Sequence, residues 1–322
     1  MITIPIILRL ARLMMSPNQT LNKDPIAGLV MAPNDGVLAV IIAIDGPSYR
    51  PLGAIMAILA DGRRIGTLTS GCIESDLVHH AKTALKNGKP MRVRYGSSSK
   101  YADLVLPCGG SLEILLLPRP DRQALEILAN NQASRKPCTL VIDPATGGMH
   151  VSRDGKTGAT KTGFMIRFNP DIFFYVFGKG PEASTFCALV QSAAYPNLLL
   201  SPDTETLDFA KASGSPTRHL KQPEFPTDLT PDPWSAILLF FHDHEWEPPI
   251  LLGALKSAAF YIGAQGSQRA RDARHQEIEA LGASPRDISR LKGPIGLIPS
   301  VRDARTLSVS VLAEVLQVAQ PS

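Results

Sequence analysis

Apolar positions along the chain change period several times, and each change predicts an element. Residues 37–44 (VLAVIIAI) form a continuous run rich in β-branched side chains, which predicts a strand buried on both faces. Strands at 55–59 and 65–69 follow, separated by Asp61-Gly62, a hairpin dipeptide. Ile73, Leu77, Ala81, Ala84 and Leu85 then recur at helical spacing, and Asn87-Gly88 ends that helix with a glycine suited to a left-handed cap. Strands at 91–95 and 111–117 complete a first domain spanning 24–118.

Residues 119–170 read as a connecting region. They hold a helix around 123–130, a strand at 138–143, a Gly147-Gly148 turn, and a Gly-, Lys- and Thr-rich stretch, 154–163, the most loop-like part of the chain. From 171 to 322 strands and helices alternate, with strands at 172–177, 197–200, 217–220, 236–241 and 260–262. Such alternation predicts a parallel sheet with helical crossovers, whose ligands sit at the carboxyl ends of the strands. The expected fold is therefore α/β: an N-terminal mixed α/β domain followed by a C-terminal Rossmann-like parallel-sheet domain. Residues 1–23 read as an N-terminal extension, a helix with Ile6, Ile7, Leu10, Leu13 and Met14 on one face. Arg9 and Arg12 fall inside that apolar stretch, unlike the leading charges of a secretory signal.

Composition narrows the function. No run approaches the ~20 uncharged apolar residues that cross a bilayer. Lys plus Arg number 33 against 29 Asp plus Glu, a surplus of 4, compatible with an anionic small ligand and too small to argue for nucleic acid. Four cysteines in 322 residues, none in a CxxC pair, point to a reducing, cytoplasmic setting in which a working cysteine acts as a thiolate.

Several segments could carry chemistry. Gly178-Lys179-Gly180-Pro181-Glu182-Ala183 follows a strand and opens a helix, matching the dinucleotide fingerprint in its required context. Gly178 allows the turn, Gly180 close approach to a phosphate, and Pro181 removes one amide. Asp203 lies two positions beyond the strand end where a ribose-binding acid is expected. A second loop, Gly263 to Ser267 with Gly266 inside it, precedes a helix bearing Arg269, Arg271 and Arg274, suited to an anion or simply a solvated face. His242-Asp243-His244-Glu245 ends a strand and reads as a polar edge of the cleft more than as a metal site. Cys72 opens a helix, where the dipole favours a thiolate and Glu74 and Asp76 oppose it. Cys108 precedes Gly109-Gly110, where a ligand or another backbone can approach closely. Cys138 and Cys187 read as core, and Arg50 as a candidate anion clamp.

Taken in order, these segments resemble the xanthine dehydrogenase accessory factors, the XdhC/CoxI family. The resemblance rests on Gly46 to Gly53, Ser70 to Glu74, Leu106 to Gly110, the Gly178 turn, His242 to His244, Tyr261 to Gly263 with Gly266-Ser267, Pro294 to Leu297, and Leu312 to Glu314. Ser201, Asp203 and Pro181 depart from the family pattern, which bears on nucleotide binding more than on fold. The resemblance implies an accessory factor that binds the molybdenum cofactor (molybdopterin), keeps its sulfurated form intact and delivers it to a molybdenum hydroxylase apoenzyme such as xanthine dehydrogenase. A cysteine desulfurase is a further implied partner, and a homodimer the implied state. Under that reading Cys72 and Cys108 supply soft ligands, while Arg50, the 263–267 loop, or both hold the pterin phosphate. Two other readings stay open: an NAD(P)-dependent oxidoreductase with His242 or His244 relaying a proton, and a nucleotide-binding sensor or scaffold without turnover.

Overall fold

The computed structural model describes residues 24–32, 35–69, 71, 73–96, 109–242 and 245–320. The expected 1–23 helix lies outside the described residues. The chain divides into two compact units between Pro170 and Asp171.

In the first unit α1 (Pro25–Met31) is capped by Asp24, whose carboxylate accepts the Ile26 and Ala27 amides. Five antiparallel strands follow: β1 (Gly36–Asp45), β2 (Ile55–Leu59), β3 (Arg64–Ile65), then, after α2 (Glu74–Asn87), β4 (Met91–Tyr95) and β5 (Ser111–Pro118). Their order is β3-β2-β1-β5-β4, so β1 and β5 are central. Gly88 ends α2 in the left-handed conformation, with φ 66°, as its sequence predicts. The strand expected at 65–69 stops at Ile65. Gly66 turns the chain there with φ 85°, and the Leu68 and Thr69 amides donate to the Glu74 carboxylate in place of a ladder.

Residues 119–170 contribute α3 (Arg122–Ala133) and a second antiparallel sheet, β6 (Cys138–Ile142), β7 (Met149–Ser152), β8 (Gly158–Ala159) and β9 (Phe164–Phe168), in the order β7-β6-β9-β8. The stretch at 154–163 therefore contains a short strand paired to β9. Alternation along β1 explains why this segment packs as it does. Val37, Ala39 and Ile41 face one core with Leu77, Ala81 and Ala84 of α2. Leu38 and Val40 face another, made with Leu125, Leu128, Leu140, Ile142, Phe164 and Ile166. The β1 run is apolar on both faces because it serves two cores.

The second unit has one parallel sheet built from β10 (Phe173–Gly178), β11 (Asn197–Ser201), β12 (Thr217–His219), β13 (Ser235–Phe240), β14 (Tyr261–Ala264) and β15 (Leu291–Lys292). Its order is β12-β11-β10-β13-β14-β15. Counted from β10 this is the 3-2-1-4-5-6 arrangement of a Rossmann sheet, with the reversal between β10 and β13. Connecting these strands are α4 (Pro181–Ser192), α5 (Thr204–Ala212), α6 (Glu247–Leu255), α7 (Gln268–Ala280) and the short α8 (Pro285–Ile288); α9 (Ala304–Ala319) closes the unit. Ala183, Phe186 and Val190 of α4 and Val311 and Val315 of α9 cover one face of the sheet; Ile250, Leu251 and Ala254 of α6 and Ile278 of α7 cover the other. Cys138 and Cys187 are buried, and loss of solvent pushes both thiols up, as befits core residues. Among the described residues, no helix is long and apolar enough to cross a membrane.

Leu140 joins the second sheet to the face of β1. Replacing it with Ala should cost about 2–5 kcal/mol in urea unfolding of the full chain, because a fully buried side chain leaves a cavity. A loss below about 1 kcal/mol would mean the two sheets do not share that core.

Candidate functional site

Three backbone segments meet at one end of the first sheet. Pairing of β1 with β5 sets Asp45 opposite Ser111, and pairing of β4 with β5 sets Tyr95 opposite Leu112. Gly46 and Pro47 after β1, Gly96 after β4 and Gly110 before β5 therefore share that edge. A Cβ on Gly110 would lie 2.2 Å from the Pro47 carbonyl oxygen, and one on Gly96 2.4 Å from the Gly110 oxygen. Gly110 thus makes room for the chain's own backbone. Gly109, with φ 74°, has nothing within 4 Å of such a Cβ and borders open space. In the neighbouring turn Ser48 Oγ donates to the Arg50 carbonyl at 2.8 Å, while the exposed Arg50 guanidinium has no partner among the described residues. Cys72 and Cys108 lie outside the described residues, although their chain neighbours Gly71, Ile73 and Gly109 are within them.

Glu74 shapes the segment before α2. Its carboxylate is buried and accepts from Thr67 Oγ1 at 2.6 Å, Thr69 Oγ1 at 2.8 Å, and the amides of Leu68, Thr69, Gly71 and Ile73 at 3.1, 2.8, 2.9 and 3.2 Å. Burial alone would raise its pKa, but donors from Thr67 and Thr69 outweigh that and hold it at about 2. The amides of Leu68, Thr69, Gly71 and Ile73, which lead into this helix, are thereby committed within the protein. At the next turn Tyr95 donates to Asp76 at 2.6 Å, fastening α2 to the end of β4.

In the second unit the reversal between β10 and β13 brings Gly178–Gly180 beside Phe241-His242. Gly178 is forced by crowding: a Cβ would lie 2.6 Å from the Phe240 oxygen and 2.9 Å from Ala183 Cβ. Gly180 adopts φ 93°, which only glycine takes without strain. Yet its amide donates to Thr206 Oγ1 at 2.9 Å, and Thr206 Oγ1 in turn donates to Asp203 Oδ2 at 2.5 Å. Asp203 is the N-cap of α5, and its bonds from Thr206 lower its pKa. Pro181 lacks an amide, and Glu182 places a carboxylate oxygen 3.6 Å from where a Gly180 Cβ would be. This turn has the fingerprint's backbone shape with its amide engaged and a negative charge at its mouth, a poor cradle for a pyrophosphate.

His242 stands between two cavities. One, of about 780 Å³, is lined by Lys179, Gly180, Pro202, Asp203 and the Phe241–Trp246 stack. The other, of about 430 Å³, is lined by Glu182, Gln265, Gly266, Ile295, Ile298 and Arg302 among others. His242 Nε2 lies 3.5 Å from Glu182 Oε2 and 3.3 Å from Gln265 Nε2. Glu182 Oε2 is buried and accepts no hydrogen bond.

The 263–267 loop has mostly structural tasks. Gly263 lies inside β14, where a Cβ would meet Ile295 and Tyr261 within 2.7 Å. Ser267 caps α7 by accepting the Ala270 amide. Arg274, expected among the anion-binding arginines, is 3% exposed and donates to Glu247 at 2.9 Å and to the Gln265 carbonyl at 2.7 Å. Gln265 and Gly266 of this loop, with Arg274 behind it, line the smaller cavity. His244 lies outside the described residues; among those described, no three His, Cys, Asp or Glu side chains are grouped to hold a metal ion. Sequence reasoning did not single out Glu182, Gln265, Arg302 or Thr206; Glu182 and Gln265 carried a signal, their places inside the two glycine loops.

Family models match the chain at residues 29–96, as the XdhC and CoxI family, and at 174–315, as the XdhC Rossmann domain. A relative described as the molybdenum cofactor insertion chaperone PaoD of Escherichia coli is 33% identical, covering 90% of this chain and 85% of its own. This chain belongs to the XdhC and CoxI family. Another relative, described as a probable xanthine dehydrogenase subunit of Bacillus subtilis, is 22% identical over 88% of this chain and 93% of its own. A crystal structure described as a xanthine dehydrogenase from Bacillus halodurans superposes with a TM-score of 0.74 at 21% identity, covering 91% of this chain and 94% of its own, a likeness of fold.

Two measurements probe the polar groups described above. Glu74 has a folded-state pKa of about 2 against 4.5 for the unbound side chain, so its stabilisation is present above pH 4.5 and fades as pH falls toward 2. At pH 7 Glu74→Gln should be less stable by on the order of 3 kcal/mol, with the gap to wild type closing in urea titrations at pH 3. A gap unchanged from pH 7 to pH 3 would contradict that charge-dependent role. Arg274→Ala should cost about 3–5 kcal/mol by removing the guanidinium that pairs with buried Glu247, whereas the double replacement Glu247→Leu with Arg274→Met should recover most of it in the same assay.

Proposed function

We propose that the protein is an accessory factor that binds the molybdenum cofactor, protects its sulfurated form, and delivers it to a molybdenum hydroxylase apoenzyme such as xanthine dehydrogenase. The observation that carries this reading is the likeness to the molybdenum cofactor insertion chaperone PaoD along nine-tenths of the chain. The cofactor is cargo here. It needs soft ligands for molybdenum or its terminal sulfur and anion-binding groups for the pterin phosphate. In this reading Cys72 and Cys108 supply the thiolates. Gly109, bordering open space, and the unpartnered Arg50 guanidinium are described residues of the first unit that suit such a ligand. A cysteine desulfurase as sulfur donor and a homodimeric state belong to the same proposal.

An NAD(P)-dependent oxidoreductase, or a nucleotide-binding sensor, would need the Gly178 turn to take a pyrophosphate. The engaged Gly180 amide, Pro181 and the Glu182 carboxylate count against both. The decisive test mixes the purified chain with molybdenum cofactor released from a donor enzyme under anaerobic conditions. After gel filtration, molybdenum and pterin should remain with wild type and fall at least about fivefold in Cys72→Ser and Cys108→Ser, while NADH fluorescence shows no saturable binding. Equal retention in all three chains would remove the cysteines from the site, and tight NADH binding would revive the oxidoreductase.

A further inference from the structure

The cavity of about 430 Å³ in the second unit is lined on one side by the segment from Pro294 to Asp303. That segment is anchored: the Gly296 amide donates to Glu314, and the Ile298 amide donates to Ser310 Oγ at 2.7 Å. Within it Ser300 takes φ 56°, a left-handed conformation that a non-glycine residue keeps only where its surroundings impose it. The charges around the cavity are answered inside the protein, with one exception. Glu182 lies 3.5 Å from His242, Arg274 is paired with Glu247, and Asp303 accepts the Thr306 amide at 2.9 Å as the cap of α9. Arg302 is exposed and has no partner among the described residues. One unanswered positive charge favours an anion, and the carboxylates of Glu182 and Asp303 in the same lining disfavour a dianion more than a monoanion.

Phe241, Ile295, Val301 and Leu307 make the wall largely apolar, and the volume lies within the ~300–1,000 Å³ range of small-molecule sites. Arg274 also lines the cavity and is only 3% exposed. Its Nε and Nη2 are spent on Glu247 and on the Gln265 carbonyl. Its Nη1, 3.6 Å from where a Gly293 Cβ would be, is in no hydrogen bond among the described residues. A buried N–H left unbonded is costly, so an acceptor oxygen is favoured there.

We propose that the cavity binds a hydroxylated aromatic monocarboxylate. Its carboxylate pairs with Arg302 at the rim, its ring packs against Phe241, Ile295 and Leu307, and its hydroxyl oxygen accepts from Arg274 Nη1. A ring is the compact apolar body that holds an acid and an oxygen at opposite ends. The site lies wholly in the second unit and requires neither Cys72 nor Cys108, so it stands apart from the cargo reading.

Titration calorimetry of the full chain with 4-hydroxybenzoate tests this, with benzoate, 4-hydroxybenzamide and inorganic phosphate in parallel. Wild type should bind 4-hydroxybenzoate one to one, benzoate about threefold more weakly, and the uncharged amide about fivefold more weakly. Arg302→Gln should weaken 4-hydroxybenzoate about fivefold and leave the amide within about twofold, while Leu307→Ala should weaken both about threefold or more. Cys72→Ser and Cys108→Ser should bind the acid as wild type does. Unchanged circular dichroism and melting temperature in the two cavity variants exclude misfolding. No saturable binding of 4-hydroxybenzoate up to about 5 mM, the weak limit for so small a ligand, would overturn the inference. So would equal affinity for benzoate or for the amide, an unaltered affinity in Arg302→Gln, loss of binding in the cysteine variants, or displacement of the acid by phosphate at lower concentration. If no acid binds while molybdenum cofactor is retained, this inference alone fails; if the acid binds while no cofactor is retained, the cargo reading alone fails.

Discussion

An amide shared between two acceptors serves each of them weakly. Gly180 has the backbone conformation through which a Rossmann turn meets a phosphate, and its N–H is committed to Thr206, which is itself tied to the cap of α5. That internal bond, the imino nitrogen of Pro181 and the charge of Glu182 act in the same direction. The scaffold retains the sheet order and the sharp turn of a nucleotide-binding domain while the turn's amide is spent within the protein.

The first unit uses a carboxylate for a different end. Glu74 collects six donors from residues 67 to 73, converting a segment without regular hydrogen bonding into a fixed approach to α2. The same device appears in the Arg274–Glu247 pair, which fixes the Gln265 carbonyl and thereby the loop after β14. In both units a buried acid sets the path of a loop next to a site, so the loops are held by charge-assisted bonds and not by apolar packing alone.

How far the sequence disclosed this depends on the range of the interactions. The 37–44 run, the Asn87-Gly88 stop and the glycine turn at 178–180 are local signals, and the structure places a strand, a left-handed cap and a strand-to-helix turn there. Of the second sheet the sequence shows only β6; β7 and β9 are short and flank a Gly-, Lys- and Thr-rich stretch, and β8 is two residues of glycine and alanine that become a strand only through pairing with β9. Residues 65–69 looked like a strand because Leu68 is apolar and fully buried; its amide, however, is drawn to an acid six residues away. Gly263 and Arg274 had the right types for an anion site and the wrong neighbours, since burial against Ile295 and pairing with Glu247 cannot be read from spacing. The order of family segments survives such errors, as it depends on motifs and not on contacts.

Strand β5 occupies the place between β1 and β4, although it arrives last of the five. The family model for this region ends at residue 96, before β5 begins. A fragment excised at that limit would leave β1 and β4 with no strand between them and would bare Ile41 and Val93 to water. The fold of the front half is thus closed from behind: β4 joins the β3-β2-β1 sheet only once the chain has returned between them.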